Sequence, residues 1–396
     1  MTFPAHEQML LPLVQAIADN GGRSTRAQVA AHLADHFQLT EEQRNTIRKY
    51  SNGRRYNVWR NRVAWVRQEA VAKGLLETGT PRNDWRLSGK GKQTLENIRP
   101  GIIVTVFETH QGEALWACAE TASAAVKDDA LKLILTSPPY PLVSPKEYGN
   151  AAGEEYLHWL VNLASEWKRS MMDDGSLVLN LGYTYEKGQP TFSTLPEQLV
   201  VALTQEVGLH LAQRYFYQNT APLPTTHWVT VRRCRVVNAV ESVFHFSKSP
   251  YPDADNRRVL KAYSSRMKKL IQRGGEVHRR SPGGQHTGRC GFSHDNGGKI
   301  PTNVIKANPS ICDRNWSKSC REAGLPVHPA RFSRELPEFF VQMLTQPGDT
   351  VFDPFAGSLT TASVCENLGR RWIGSERALT YLRGGHLRFS CCSGNA

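Results

Sequence analysis

Apolar positions divide this chain into two rhythms. Up to about residue 97 they recur three or four residues apart, the spacing of amphipathic helices. Met9, Leu13 and Ile17 predict a helix that Gly21-Gly22 stops, and Val29, Leu33 and Phe37 predict a second. Thr40 with Gln43 reads as a capping box opening a third, short segment. The strongest pattern runs from about Tyr56 to Lys73, with Trp59, Val63, Val66 and Ala70 as its buried stripe and Gly74 as its end. Leu75-Leu76 and Trp85-Arg86-Leu87 flank the turn-rich Thr80-Pro81-Arg82-Asn83-Asp84, which predicts a hairpin.

From about Ile102 short apolar runs alternate with helical stretches, the signature of a doubly wound α/β domain. Leu131–Thr136 reads as a buried strand. Glu155 to Met172 reads as a helix through Tyr156, Trp159, Leu160 and Leu163, and Ser176–Leu181 as the next strand. A helix over Pro196–Val207 and a strand carrying Tyr215, Phe216 and Tyr217 follow. Residues 221–325 break the rhythm and read as an insertion dense in Arg and Lys; the pattern resumes near Pro329. The expected divisions are 1–97, 102–220, 221–325 and 326–396.

Charge adds a partner. Lys and Arg number 49 against 36 Asp and Glu, a net charge of +13, which draws a protein to polyanions, nucleic acid first. Three helices and a β-ribbon form the winged-helix pattern, whose last helix enters the DNA major groove. Arg60, Arg62 and Arg67 on that helix are the expected contacts, against a reading as a merely solvated face. No run of eighteen apolar residues is present and the first residues do not read as a secretory signal, so a cytoplasmic, nucleoid-associated protein is expected. The eight cysteines form no Cys-x-x-Cys pair and read as reduced thiols. His286, Cys290 and His294 recur every four residues, but among glycines that read as loop, and no metal is expected.

Two short motifs carry the chemistry. Ser137-Pro138-Pro139-Tyr140 closes the Leu131–Thr136 strand, at the end where α/β folds place ligands. An exocyclic amino group is a poor nucleophile because its lone pair is delocalised into the ring. Acceptors that hold its hydrogens let the nitrogen pyramidalise as a new bond forms. The Ser137 hydroxyl and the Pro138 carbonyl are such acceptors, Pro139 stiffens the turn, and Tyr140 offers a ring for a flipped-out base. The second motif, Phe352-Asp353-Pro354-Phe355-Ala356-Gly357-Ser358-Leu359-Thr360-Thr361, reads as strand, tight loop and helix. Glu376 ends the next strand, about twenty residues on, where a ribose diol is held in nucleotide-binding folds.

The order of these motifs, catalytic half before cofactor half, resembles the circularly permuted β group of DNA amino-methyltransferases. Ser at the first motif position resembles its PvuII-type cytosine-N4 branch. Gly112-Glu113-Ala114-Leu115, Ile300-Pro301-Thr302-Asn303-Val304 and His328-Pro329-Ala330-Arg331-Phe332 resemble further stretches of that family. Leu359 stands where the family pattern usually has a second Gly. Asn61-Arg62-Val63-Ala64-Trp65, the Gly74-Leu75 step and Leu87-Ser88-Gly89-Lys90-Gly91 resemble the N-terminal winged helix of Mrr-type restriction proteins.

The resemblance implies a Rossmann-like, S-adenosylmethionine-dependent methyltransferase fold with a winged helix in front and a target-recognition insertion within. It implies N4-methylation of cytosine in duplex DNA, with Ser137, Pro138, Pro139 and Tyr140 catalytic. Asp353, Pro354, Phe355, Gly357, Ser358, Thr360, Glu376, Phe332 and Glu113 would hold the cofactor. Arg232, Arg233, Arg279, Arg280 and Arg289 of the insertion would contact DNA, and a separate restriction endonuclease is the implied companion. The rival readings are an adenine-N6 methyltransferase, a protein-glutamine methyltransferase, and a DNA-binding regulator on a defunct fold.

Overall fold

A computed structural model describes residues 3–389 apart from 5, 38, 51–52, 82, 96–99, 140–153, 184–185, 187, 221, 223–226, 276–293, 308–312, 329–330 and 332. The described residues form two units, the smaller within residues 1–98 and the larger after it.

The smaller unit is built on the predicted stripes. Helices His6–Asp19, Arg26–His36 and Val58–Ala72 bury Met9, Leu13, Ile17, Val29, Leu33, Trp59, Val63 and Val66 in one core. Thr25–Gln28 and Thr40–Gln43 both form capping boxes, the first of which the apolar pattern alone did not reveal. The hairpin expected at 75–87 is reduced to a bridge between Leu76 and Leu87, while Trp85–Arg86 pairs with Arg23–Ser24. A second hairpin, Ile47–Lys49 against Arg55–Asn57, precedes the last long helix and was not anticipated, because its exposed strands carry almost no apolar alternation.

Among the described residues nine strands make the sheet of the larger unit: β1 Ile103–Glu108, β2 Gly112–Ala117, β3 Leu131–Thr136, β4 Met171–Leu181, β5 His210–Asn219, β6 Val240–Ser247, β7 Val304–Ala307, β8 Thr350–Asp353 and β9 Arg371–Glu376. Their order across the sheet is β7-β5-β6-β4-β3-β8-β9-β2-β1. The five from β4 to β2 are mutually parallel, and β6 and β1 run antiparallel to their neighbours. Helices Ala119–Ala125, Glu154–Ser170 and Leu195–Gln205 cover one face, where Tyr156, Leu160 and Leu199 meet Ile134 and Leu177. Glu335–Leu344 and Thr360–Leu368 cover the other, where Phe340 and Val364 meet Leu133 and Leu135.

The region 221–325 is therefore not wholly an insertion: β6 and β7 belong to the central sheet. Val240-Glu241-Ser242-Val243-Phe244-His245-Phe246 does carry a strand pattern, but dense basic flanks mask it. Among the described residues no helix is long and apolar enough to cross a membrane.

Candidate active site

β3 and β8 lie side by side and parallel, yet the chain leaves β3 toward β4 and leaves β8 toward β9, on opposite sides. This is a topological switch point, where open α/β sheets bind ligands beyond the strands' carboxyl ends. Ser137-Pro138-Pro139 follows β3 and Pro354-Phe355-Ala356-Gly357 follows β8, so the sheet brings the two predicted motifs together.

They are joined by a buried hydrogen bond across 217 residues of sequence: Thr136 Oγ1 donates to Asp353 Oδ1 at 2.7 Å. Thr361 Oγ1 donates to the other carboxylate oxygen at 2.7 Å, and the Phe355 amide donates to Oδ1 at 3.2 Å. Asp353 is 3% exposed, and burial pushes its carboxyl up to about 6 despite these three bonds. Its role here is to hold the turn after β8 against the turn after β3.

Glu376, at the end of β9, is half-buried. Its carboxylate accepts from the amides of Gly357 at 3.0 Å and Ala378 at 2.8 Å, and burial pushes it up to about 7. Gly357 takes φ +49°, a conformation open to glycine, beside the His328 ring. Neither carboxylate has a basic side chain in an ion pair among the described residues. Two poorly solvated acids beside a glycine turn suit a ligand that brings a positive charge and hydroxyl donors. S-adenosylmethionine, a sulfonium with a ribose diol, fits that donor set.

Other predicted residues are placed differently. The Ser358 carbonyl accepts from Arg388 Nε at 2.7 Å, and Arg388 is clamped by Asp313 at 2.8 and 2.9 Å; Ser358 and Thr360 are both buried. The Phe355 ring lies against Trp159 and Trp167. Glu113 is a correction. It pairs with Ile373 near the amino end of β2, whereas Glu376 pairs with Trp116, so it stands three residues, roughly 10 Å, from the ligand end of the sheet. The Gly-Glu-Ala-Leu likeness opens the strand rather than ending it. Tyr140, Phe332, Arg279, Arg280, Arg289, His286 and Cys290 lie outside the described residues. Arg232 and Arg233 are exposed in the turn after the short helix His227–Thr230.

Of the three helix arginines, Arg60 is exposed. Arg62 Nε donates to the Pro4 carbonyl at 2.9 Å, and Arg67 Nη2 donates to Thr80 at 3.3 Å. The last two therefore serve the unit's own structure, which helical periodicity did not separate from a solvated face.

Sequence reading also missed a polar row beside Ser137. Thr136 pairs with Leu179, which places Asn180 next to the Ser-Pro-Pro turn. Asn180 donates to Glu241 Oε2 at 2.9 Å, Glu241 is opposite Tyr217, and the Tyr217 hydroxyl donates to Ser333 at 3.1 Å. Burial pushes the Glu241 carboxyl above its usual range. A Glu among the Val and Phe positions of this strand was the available signal.

Leu359, the departure from the glycine pattern, is fully buried and sits in the left-handed region at φ 58°, ψ 36°. Its side chain fills the space two glycines leave: a Cβ on Gly374 or on Gly385 would lie 2.8 Å from a Leu359 methyl carbon. The strain of a non-glycine residue there costs about 1–2 kcal/mol, and burial of the side chain offsets it. Restoring glycine, Leu359→Gly, is thus expected to destabilise the protein by about 2 kcal/mol, because the cavity costs more than the strain relieved. An unchanged or raised urea midpoint would refute this packing account.

Comparison with known proteins agrees with this geometry. Residues 131–385 match the DNA methylase family, and residues 6–97 match the Mrr N-terminal domain. The chain is 39% identical over 265 residues to the Type II methyltransferase M.PvuII of Proteus hauseri, covering 66% of this chain and 79% of that protein. It is 25% identical over 272 residues to the Type II methyltransferase M.BglII of Bacillus subtilis, covering 65% and 63%. The solved PvuII DNA methyltransferase (cytosine-N4-specific) superposes with a TM-score of 0.59 at 30% identity, over 74% of this chain and 90% of that one. With its two motifs joined at the switch point of a mixed sheet, this chain belongs to the DNA methylase family of S-adenosylmethionine-dependent N6/N4 methyltransferases.

Proposed function

We propose that this protein methylates the exocyclic N4 of cytosine in duplex DNA. The carrying observation is the Ser-Pro-Pro turn at the end of β3, bonded through Thr136 to the cofactor-side Asp353. The likeness to M.PvuII, whose solved structure is described as cytosine-N4-specific, supports the same base.

Pro354, Phe355, Gly357 and Glu376 border the cofactor, with Asp353, Ser358 and Thr360 fixing the loop from behind. S-adenosylmethionine supplies an electrophilic methyl group. The Ser137 hydroxyl and the Pro138 carbonyl accept the two amino hydrogens of a cytosine turned out of the helix, and Tyr140 stacks on its ring. Fixed acceptors hold the nitrogen in the pyramidal form that attack requires, and N4 itself is the nucleophile, so no cysteine is needed. Arg232 and Arg233, with Arg279, Arg280 and Arg289, serve DNA contact. The Mrr-type unit acts as a winged-helix DNA module, and the setting is a restriction–modification system with a separate endonuclease.

Digestion of DNA from reacted samples to nucleosides, followed by mass spectrometry, tests the base. N4-methylcytosine is expected; N6-methyladenine or no product would overturn the reading.

The Glu376 carboxylate gives a pH signature. A ribose diol donates hydrogen bonds, which favours the ionised acid, but in the free protein burial raises this group to about 7. Affinity for S-adenosylmethionine is expected to fall up to about tenfold per unit as pH drops below 7 and to level off above it. The stability of the apo protein is expected to follow the reverse trend: a raised acid is favourable while protonated, and that stability is lost as pH rises from the ordinary Glu value toward 7. Calorimetric titration across pH checks both, and Glu376→Gln should bind more weakly and lose the dependence near pH 7, keeping only a fall near pH 6 where Asp353 takes up its proton. A profile identical to the parent's would remove Glu376 from the ribose site.

A further inference from the structure

The hairpin Ile47–Lys49 / Arg55–Asn57 belongs to the smaller unit, and its make-up is unfavourable for a free surface. No Asp or Glu lies between Glu42 and Glu69, while eight Lys and Arg do. Lys49 is paired directly with Arg55 across the two strands, with Arg48 and Arg54 on either side. Like charges opposite one another destabilise a strand pair, and three residue pairs make a marginal ribbon by themselves. Among the described residues neither Lys49 nor Arg55 forms an ion pair, and Arg48, Lys49, Arg54 and Arg55 are all exposed.

The hairpin is nevertheless built rigidly. Tyr50 and Tyr56 stack with ring centroids 4.1 Å apart, and the Tyr50 hydroxyl donates to Asn61 Oδ1 at 3.2 Å on the Val58–Ala72 helix. Asn57 anchors its base by donating to the Arg44 carbonyl at 2.8 Å, and its side chain also caps that helix by accepting from the Arg60 amide at 2.8 Å. The ribbon is thus fixed beside a helix N-terminus, itself positive, with Arg60 exposed on the first turn. Trp65, 57% exposed, lies one turn beyond Asn61 on the same helix face, and Ile47 is 62% exposed on the ribbon.

We infer that this ribbon, with the first turn of the Val58–Ala72 helix, is a docking surface for the phosphate backbone of duplex DNA. The inference rests on DNA being the substrate. A rigid frame that sets Lys49 against Arg55 suits a partner that supplies anions, and phosphates do so without regard to sequence. The contact serves affinity, leaving base choice to the methyltransferase unit.

Lys49→Glu in the full-length protein separates this from a structural role, because it places opposite charges across the ribbon. The Tm is expected to stay level or rise. Affinity for a duplex oligonucleotide is expected to fall about tenfold at low salt, with the log K against log salt slope shallower by about one to two. The loss should be equal for duplexes with and without methylation sites. Arg55→Ala should weaken binding in the same direction, with a slope change of about one. Unchanged affinity and slope in both variants would overturn the inference, as would a loss confined to one DNA sequence. A lowered Tm accompanying the affinity loss in Lys49→Glu would equally overturn it, by making the effect structural. The nucleoside analysis of the parent protein does not depend on this surface, so the base assignment stands or falls separately.

Discussion

Ser137→Ala is expected to lower turnover by about 10²–10³-fold while leaving the dissociation constant for S-adenosylmethionine within about twofold. Ser137 follows β3, whereas the residues proposed to border the cofactor follow β8 or end β9, so the two half-sites should respond to different substitutions. The hydroxyl gains most when the amino nitrogen pyramidalises, so its removal acts on the transition state rather than on either bound ligand. Single-turnover kinetics with saturating DNA, alongside calorimetric titration of the cofactor, measure both quantities. Loss of cofactor binding with unchanged turnover would remove Ser137 from its assigned role.

Asp353→Ala is expected to abolish measurable cofactor binding and to cost about 3 kcal/mol of stability. The carboxylate accepts from Thr136, Thr361 and the Phe355 amide, and its loss leaves these donors without a partner in a buried place. Relief of a buried acid offsets part of that cost. Asp353→Asn keeps the shape and one acceptor oxygen. It should recover most of the stability, yet bind the cationic cofactor about tenfold more weakly than the parent because the charge is gone. If Asp353→Asn binds as the parent does, the residue matters only as a brace. If Asp353→Ala retains both stability and affinity, the link between the motifs has no energetic weight.

The legible parts of this fold were those where one physical demand dominates a segment. A fully buried strand such as Leu131–Thr136 must be apolar at most of its positions, and the helix stripe Trp59, Val63, Val66 and Ala70 must repeat at helical spacing; both read directly. The two motifs were legible because turns at strand ends need Pro and Gly where chemistry needs polar atoms. Less legible was whatever depends on a partner far away in sequence. Thr136 looks like one more strand residue until Asp353 is placed beside it. Arg62 and Arg67 look like Arg60 until Pro4 and Thr80 are located. Glu113 failed for a related reason: a tetrapeptide likeness carries no information on which end of its strand meets the ligand. The ribbon at 47–57 escaped because exposed, charged strands lack the alternation that marks half-buried ones.

The seam between β3 and β8 has a consequence for how the enzyme is made. No short connection joins these neighbouring strands; their contact closes a loop of 217 residues, and closure of that length is slow as well as entropically costly. A chain emerging from the ribosome carries its Ser-Pro-Pro turn long before β8 and β9 exist to complete the pocket. Methylation competence thus switches on late, when nearly all of the sheet is present, and a stalled or truncated product lacking β8 is inert toward the genome rather than partly active.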